Sequence, residues 1–159
     1  MAPMLWHFIL NFIGRFPALR RGFARWLYDR MATRLRDPDW TFMNYGIVPP
    51  DATAPALRPE DERNRLSIQL YHRTVAPADL TGRSVLEVGS GRGGGAAYLA
   101  RCLGPAHVTG ADFSAEAVAL ARTLHVGVGN LEFTAGDAER LPFPDASFDA
   151  GVNVESSHC

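Results

Sequence analysis

The chain has 159 residues, 47% of them hydrophobic, with 16 basic and 17 acidic side chains and a formal net charge of −1. That length and apolar share suit one globular unit with a real core and exclude a disordered chain, while two cysteines cannot build a disulfide framework, so a reducing compartment is expected. The near-neutral total hides a division: residues 1–36 hold seven Arg against Asp29 alone, and residues 37–159 hold nine Arg against sixteen acids.

From the N-terminus, Leu5, Phe8, Ile9, Phe12, Phe16 and Leu19 begin a series at steps of three or four that continues through Phe23, Trp26 and Leu35. This period predicts an amphipathic, Arg-rich helical extension over residues 1–39, kinked or divided at Pro17. The charges follow the apolar run instead of preceding it, which argues against a secretory signal. The longest stretch free of Asp, Glu and Arg covers residues 1–14, short of the roughly 20 residues a bilayer crossing needs. Two uses of the extension stay open: packing its aromatic face on the rest of the protein or a partner subunit, or lying at a membrane surface or over an apolar substrate. The expected location is cytoplasmic, with peripheral membrane contact through residues 1–36 in the second reading. A nucleic-acid partner is not expected, because the basic region is amphipathic and aromatic and the remainder is acidic.

Residues 40–82 read as a lid or linker followed by a helix. The proline-rich stretch 49–59 is a loop, 60–75 a helix, and Asp79-Leu80-Thr81-Gly82 a turn. Beyond it, strands over 84–88, 107–111, 131–135 and 148–154 alternate with helices over 94–103 and 115–124. This alternation predicts an α/β fold with a doubly wound, Rossmann-like parallel sheet over residues 83–159.

The densest chemistry lies in Glu87-Val88-Gly89-Ser90-Gly91-Arg92-Gly93-Gly94-Gly95, where a buried strand runs into glycines that open a helix. Such a loop lets a ligand approach the main chain, and the helix start offers N–H groups to an anionic group. Gly89-x-Gly91-x-x-Gly94 matches the dinucleotide fingerprint, so a nicotinamide or flavin oxidoreductase is one reading. Glu87 argues against it. A carboxylate there would face a pyrophosphate at close range, whereas it favours a ligand bearing an ammonium and a sulfonium. Asp112, at the tip of the second strand, is placed to accept from both hydroxyls of a ribose, and Asp137, after the third, from an adenine amino group. Each has a plainer alternative: Glu87 a helix-end cap, Asp112 an N-cap, Asp137 a turn former. Their occurrence at the ends of successive strands favours a ligand site.

These residues resemble the successive motifs of class I S-adenosylmethionine-dependent methyltransferases: Glu87-x-Gly89-x-Gly91-x-Gly93, then Asp112, then Gly136-Asp137-Ala138-Glu139. Leu141-Pro142-Phe143 followed by Ser147-Phe148-Asp149 is similar to one subgroup. Leu70-Tyr71-His72-Arg73-Thr74, Arg92-Gly93-Gly94-Gly95-Ala96 and Asn153-Val154-Glu155-Ser156-Ser157-His158-Cys159 resemble the phthiotriolone/phenolphthiotriolone dimycocerosates methyltransferases. The resemblance covers residues 40–159. It implies S-adenosyl-L-methionine as cofactor, with Glu87 and the loop through Gly89, Ser90, Gly91 and Gly93 holding the methionine portion. Asp112 would take the ribose with Phe113 beside the adenine, Asp137 and Ala138 the adenine edge, and Asn153 would lie beneath the sulfonium. Ser90 stands where many members carry Cys. The resemblance also suggests Tyr71 and His72 as groups closing over the cofactor, packing of their helix on the sheet being the alternative.

The expected function is methyl transfer to a hydroxyl of a lipid or polyketide-like small molecule. Such a transfer needs alignment and exclusion of water more than covalent help, and His158 is the candidate base. A truncated, non-catalytic cofactor-binding or interaction module is the remaining alternative. Of the seven strands the family implies, the first four can be placed, so the sequence reads as a C-terminally truncated fragment. No metal site is expected, because neither Cys102 nor Cys159 has ligand spacing.

Overall fold

The computed structural model describes residues 39–48 and 55–156; residues 1–38 of the N-terminal extension predicted over 1–39, and the candidate base His158, lie outside the described residues. Four parallel strands form one sheet: β1 (Ser84–Val88), β2 (His107–Asp112), β3 (Leu131–Ala135) and β4 (Ala150–Val152). Their order is β3-β2-β1-β4. The chain therefore builds outward from β1 through β2 to β3, then returns to the other side of β1. That reversal, between β1 and β4, is where sheets of this kind open a crevice at the carboxyl ends of their strands.

β1 is central, and its apolar run is covered on both faces, with Val85 and Glu87 wholly buried. Helix α1 (Arg65–Val75) buries Ile68, Tyr71 and Val75. Helix α2 (Gly94–Cys102) is so rich in Gly and Ala that every residue from Gly94 to Ala100 is buried. Helix α3 (Ala115–Leu124) starts at Ser114, whose Oγ accepts the N–H of Ala117 at 3.2 Å. Near its other end, Arg122 donates to the carbonyl of Phe133 on β3 at 2.6 Å. The core joins these helices to Val85, Val108, Phe133 and Val152 of the strands.

Two predicted elements are corrected. The helix expected over 60–75 begins as a 3-10 turn, Pro59–Asn64, and becomes α-helical at Arg65. The tighter winding carries Asp61 inward, where its Oδ1 meets Arg101 Nη2 of α2 at 3.4 Å. The strand expected over 148–154 is only three residues long. Before it, Asp149 pairs with Ser84 through its own N–H (2.9 Å to Ser84 O) and its carboxylate (2.9 Å from Ser84 N). After it, Glu155 takes a left-handed conformation (φ 56) and Ser156 Oγ donates to Val88 O at 3.0 Å, turning the chain across the end of β1.

Candidate functional site

The strand register sets the carboxyl ends of the sheet side by side. Glu87 pairs with Gly110 and Val152, Val88 with Ala111, and Asp112 with Ala135. The loop leaving β1 is held against β2, since the N–H groups of Gly89 and Ser90 both donate to Ala111 O, at 2.8 and 3.0 Å. Gly89 is required on two counts: its φ is +78, and a Cβ there would stand 2.2 Å from the Ser156 side chain. Gly93 (φ +83) caps α2, and a Cβ on it would meet the Phe133 ring at 2.5 Å.

Glu87 is wholly buried at the base of this crevice. Its Oε1 accepts the Tyr71 hydroxyl at 2.5 Å, and its Oε2 is buried with no hydrogen-bond partner among the described residues. Burial pushes the carboxyl up to about 7; the Tyr71 hydroxyl and the Ala96 N–H pull it down, and the charge of Asp112 adds to the rise. Tyr71 is itself raised, by burial first and by Glu87 next, so its hydroxyl keeps its proton and acts as a donor. The ring reaches Glu87 because Gly95 carries no side chain: a Cβ there would lie 2.0 Å from Tyr71 Cζ. Phe42 holds the ring from another side, edge-on at 5.8 Å.

This arrangement changes the expected use of the helix start. The Gly94 N–H is taken by Thr41 O at 3.2 Å, and the acid facing the first turn of α2 is the protein's own Glu87. A pyrophosphate would therefore meet a carboxylate in place of open amides, which disfavours a dinucleotide. An ammonium group fits: Oε2 is an unsatisfied buried acceptor, a costly state that a cationic donor relieves.

Asp112 is half-buried, and its two oxygens accept Gly91 N (2.7 Å) and Ser114 N (2.9 Å). It thus joins the glycine loop to the start of α3, and each oxygen retains lone-pair capacity for a ligand hydroxyl. Phe113 beside it is 39% exposed. Asp137 is half-buried, and its Oδ1 accepts Glu139 N at 2.9 Å, the turn-forming contact. The neighbouring Gly136 N–H donates to Asp112 O at 2.9 Å, which brings Asp137 and Ala138 beside Asp112. Asn153 follows β4 directly and is exposed. Ser90 is buried, its Oγ without a hydrogen-bond partner. Glu87, the glycine loop, Asp112, Asp137 and Asn153 thus share one edge of the sheet. His72 leaves the group: its Nδ1 lies 2.8 Å from Tyr98 OH of α2.

The segment read from the sequence as a lid or linker lies over this edge. Residues 39–48 cross the glycine loop, with the Arg92 guanidinium 4.9 Å from the centre of the Trp40 ring and Met43 Sδ 3.2 Å from where a Gly91 Cβ would stand. Farther along, Tyr45 N donates to Glu155 Oε2 at 2.9 Å. No periodicity marks this segment; the resemblance of Asn44-Tyr45-Gly46 to an entry-lid region is what pointed to it.

Residues 85–159 match a family described as a methyltransferase domain. The chain is 52% identical over 136 residues to a fatty-acid O-methyltransferase of Mycolicibacterium smegmatis, covering 85% of this chain and 49% of that protein. It is 42% identical over 153 residues to a phthiotriol/phenolphthiotriol dimycocerosates methyltransferase of Mycobacterium tuberculosis, covering 96% and 56%. The chain therefore spans about half the length of the curated relatives it matches. Among solved structures, a geranyl diphosphate C-methyltransferase of Streptomyces coelicolor, in complex with S-adenosyl-L-homocysteine, shares the fold at a TM-score of 0.63 and 20% identity. That match covers 84% of this chain and 54% of the other.

Proposed function

We propose that the protein binds S-adenosyl-L-methionine at the carboxyl edge of its sheet and transfers methyl to an oxygen of a lipid-like acceptor, a reading supported by the match of residues 85–159 to a methyltransferase-domain family. The observation that carries this reading is the buried, half-satisfied carboxylate of Glu87 at the end of β1. When bound, the cofactor supplies a methyl group already activated on sulfonium.

The chain's own residues then bind and align. Glu87 receives the ammonium through Oε2, the backbone of loop 89–93 lies along the amino-acid portion, and Asp112 takes the ribose hydroxyls. Phe113 offers its exposed face to the adenine, Asp137 and Ala138 border the adenine edge, and Asn153 stands near the sulfonium. Trp40, Thr41 and Met43 keep water from the loop, which favours a displacement that needs an aligned nucleophile. His158 remains our candidate for holding the acceptor's proton. The lipid-like class is supported by the names of the relatives and by apolar side chains exposed on or beside the cover: Met43 (40%), Val48 (75%) and Leu66 (48%).

Calorimetric titration with S-adenosylhomocysteine and, separately, with NADH tests the cofactor assignment. Binding of the first alone is expected; binding of the dinucleotide alone overturns it. Asp112→Ala is expected to weaken S-adenosylhomocysteine by about 1–3 kcal/mol, the range for removing a charged acceptor. Unchanged affinity in that variant removes the ribose role.

A further inference from the structure

We propose that Tyr71 is a positioning residue for ligand recognition: by engaging one oxygen of Glu87 it leaves the other to receive an ammonium group, so the site selects ligands that carry one. This rests on the cofactor reading above and deepens it. A lone buried carboxylate can rotate, and either oxygen can then face a ligand. Here the choice is made by the fold. Tyr71 OH holds Oε1 at 2.5 Å, and Oε2 is the oxygen left without a partner.

Three features fix the tyrosine. Its residue is 5% exposed within α1, Phe42 meets its ring edge-on at 5.8 Å, and the bare backbone of Gly95 admits the ring where a Cβ would stand 2.0 Å from Cζ. Its phenol keeps its proton, since burial and the adjacent carboxylate both oppose ionisation, so it serves Glu87 as a donor. Around the pair, the Ala96 N–H faces Glu87 from α2, Asp112 bears on it from β2, and Glu155 bears on Tyr71 from beyond β4. The charged members of that set are acids, so an incoming ammonium is attracted by the whole group.

The hydroxyl has two effects on binding. It orients Glu87, and by donating to the carboxylate it favours the charged form that an ammonium needs. Both effects concern the amino-acid end of the ligand alone. S-adenosylhomocysteine carries that end, and 5′-methylthioadenosine has the same adenosine and a thioether without it.

The test is calorimetric titration of the protein and its Tyr71→Phe variant with these two ligands from pH 6 to pH 8. The variant is expected to bind S-adenosylhomocysteine about tenfold more weakly, in line with the loss of a hydrogen bond to a charged group, and methylthioadenosine within twofold of the parent. The pH at which S-adenosylhomocysteine affinity is half gained should also move upward in the variant. In a Glu87→Gln background the Tyr71→Phe change should have no further effect. Equal losses for both ligands, or an unmoved pH profile, overturn the proposal and leave Tyr71 a packing residue. Failure of the parent to bind either ligand overturns the cofactor reading itself. Should Tyr71→Phe fail to fold, Gly95→Ala, which displaces the Tyr71 ring, decides: S-adenosylhomocysteine weakened about tenfold with methylthioadenosine within twofold supports the proposal, and equal losses for both ligands overturn it.

Discussion

Glu87→Gln is expected to weaken S-adenosylhomocysteine by about 2–3 kcal/mol, roughly thirty- to a hundred-and-sixtyfold, while making the ligand-free protein less sensitive to pH. The first effect follows from replacing a charged acceptor by a neutral amide whose N–H₂ would face the ligand's ammonium. The second follows from burial. In the folded chain the Glu87 carboxyl lies at about 7, against 4.5 for an ordinary Glu, so between those values the folded state holds a proton that the unfolded state releases. Stability from this group is therefore fully present below 4.5 and lost as pH rises through 7. Urea unfolding at pH 5 and pH 8 reads it: the parent should lose more stability between the two than Glu87→Gln does. Equal losses would show that Glu87 keeps an ordinary carboxyl in the folded chain.

Gly95→Ala is the second large effect, and its sign runs against helix propensity. Ala is favoured over Gly in helices, by about 1 kcal/mol in an interior and by less in the first turn, where Gly95 lies. At this position the added methyl would stand 2.0 Å from Tyr71 Cζ and 2.2 Å from Cε1, inside the ring. The ring has little room to retreat, with Phe42 packed on it and α1 fixed by Ile68 and Val75. Overpacking of this kind costs about 1–3 kcal/mol, so a net loss is expected, read as a lowered thermal midpoint. S-adenosylhomocysteine should also weaken by about tenfold, because a displaced Tyr71 releases Glu87. Gly127→Ala is the control: nothing lies within 4 Å of the Cβ it would add, and its stability should stay within about 0.5 kcal/mol of the parent. A Gly95→Ala chain as stable as that control would mean that the ring moves aside freely.

The parts legible in the sequence were those with a local cause. A buried strand is a run of apolar residues, a loop that leaves β1 sharply needs glycine, and acids at strand ends are readable once the strands are. Glu87, Asp112 and Asp137 were found that way, and the sheet edge brings them together. The pairings that give those residues their character were not legible. Tyr71 lies sixteen positions before Glu87 on another element, and nothing in α1's pattern separates it from His72, which turns instead to Tyr98. At the 3-10 start of α1, Asp61 meets Arg101, forty positions away. The shortness of β4 depends on Asp149 and Ser156 bonding to the two ends of β1. Periodicity carries no information about contacts at such separations.

The hydrogen bond from Tyr45 to Glu155 closes a span of 110 positions between exposed groups. Loop closure of that length is entropically costly and receives little compensation from a solvated contact. The contact can form only after β1 has gathered β4 and turned the chain at Glu155, so it belongs to the end of folding. For the same reason it is among the first to open in the finished protein. The Tyr45 amide should then exchange its hydrogen early, long before the amides of β1, and its exchange rate times the opening of the cover above the glycine loop.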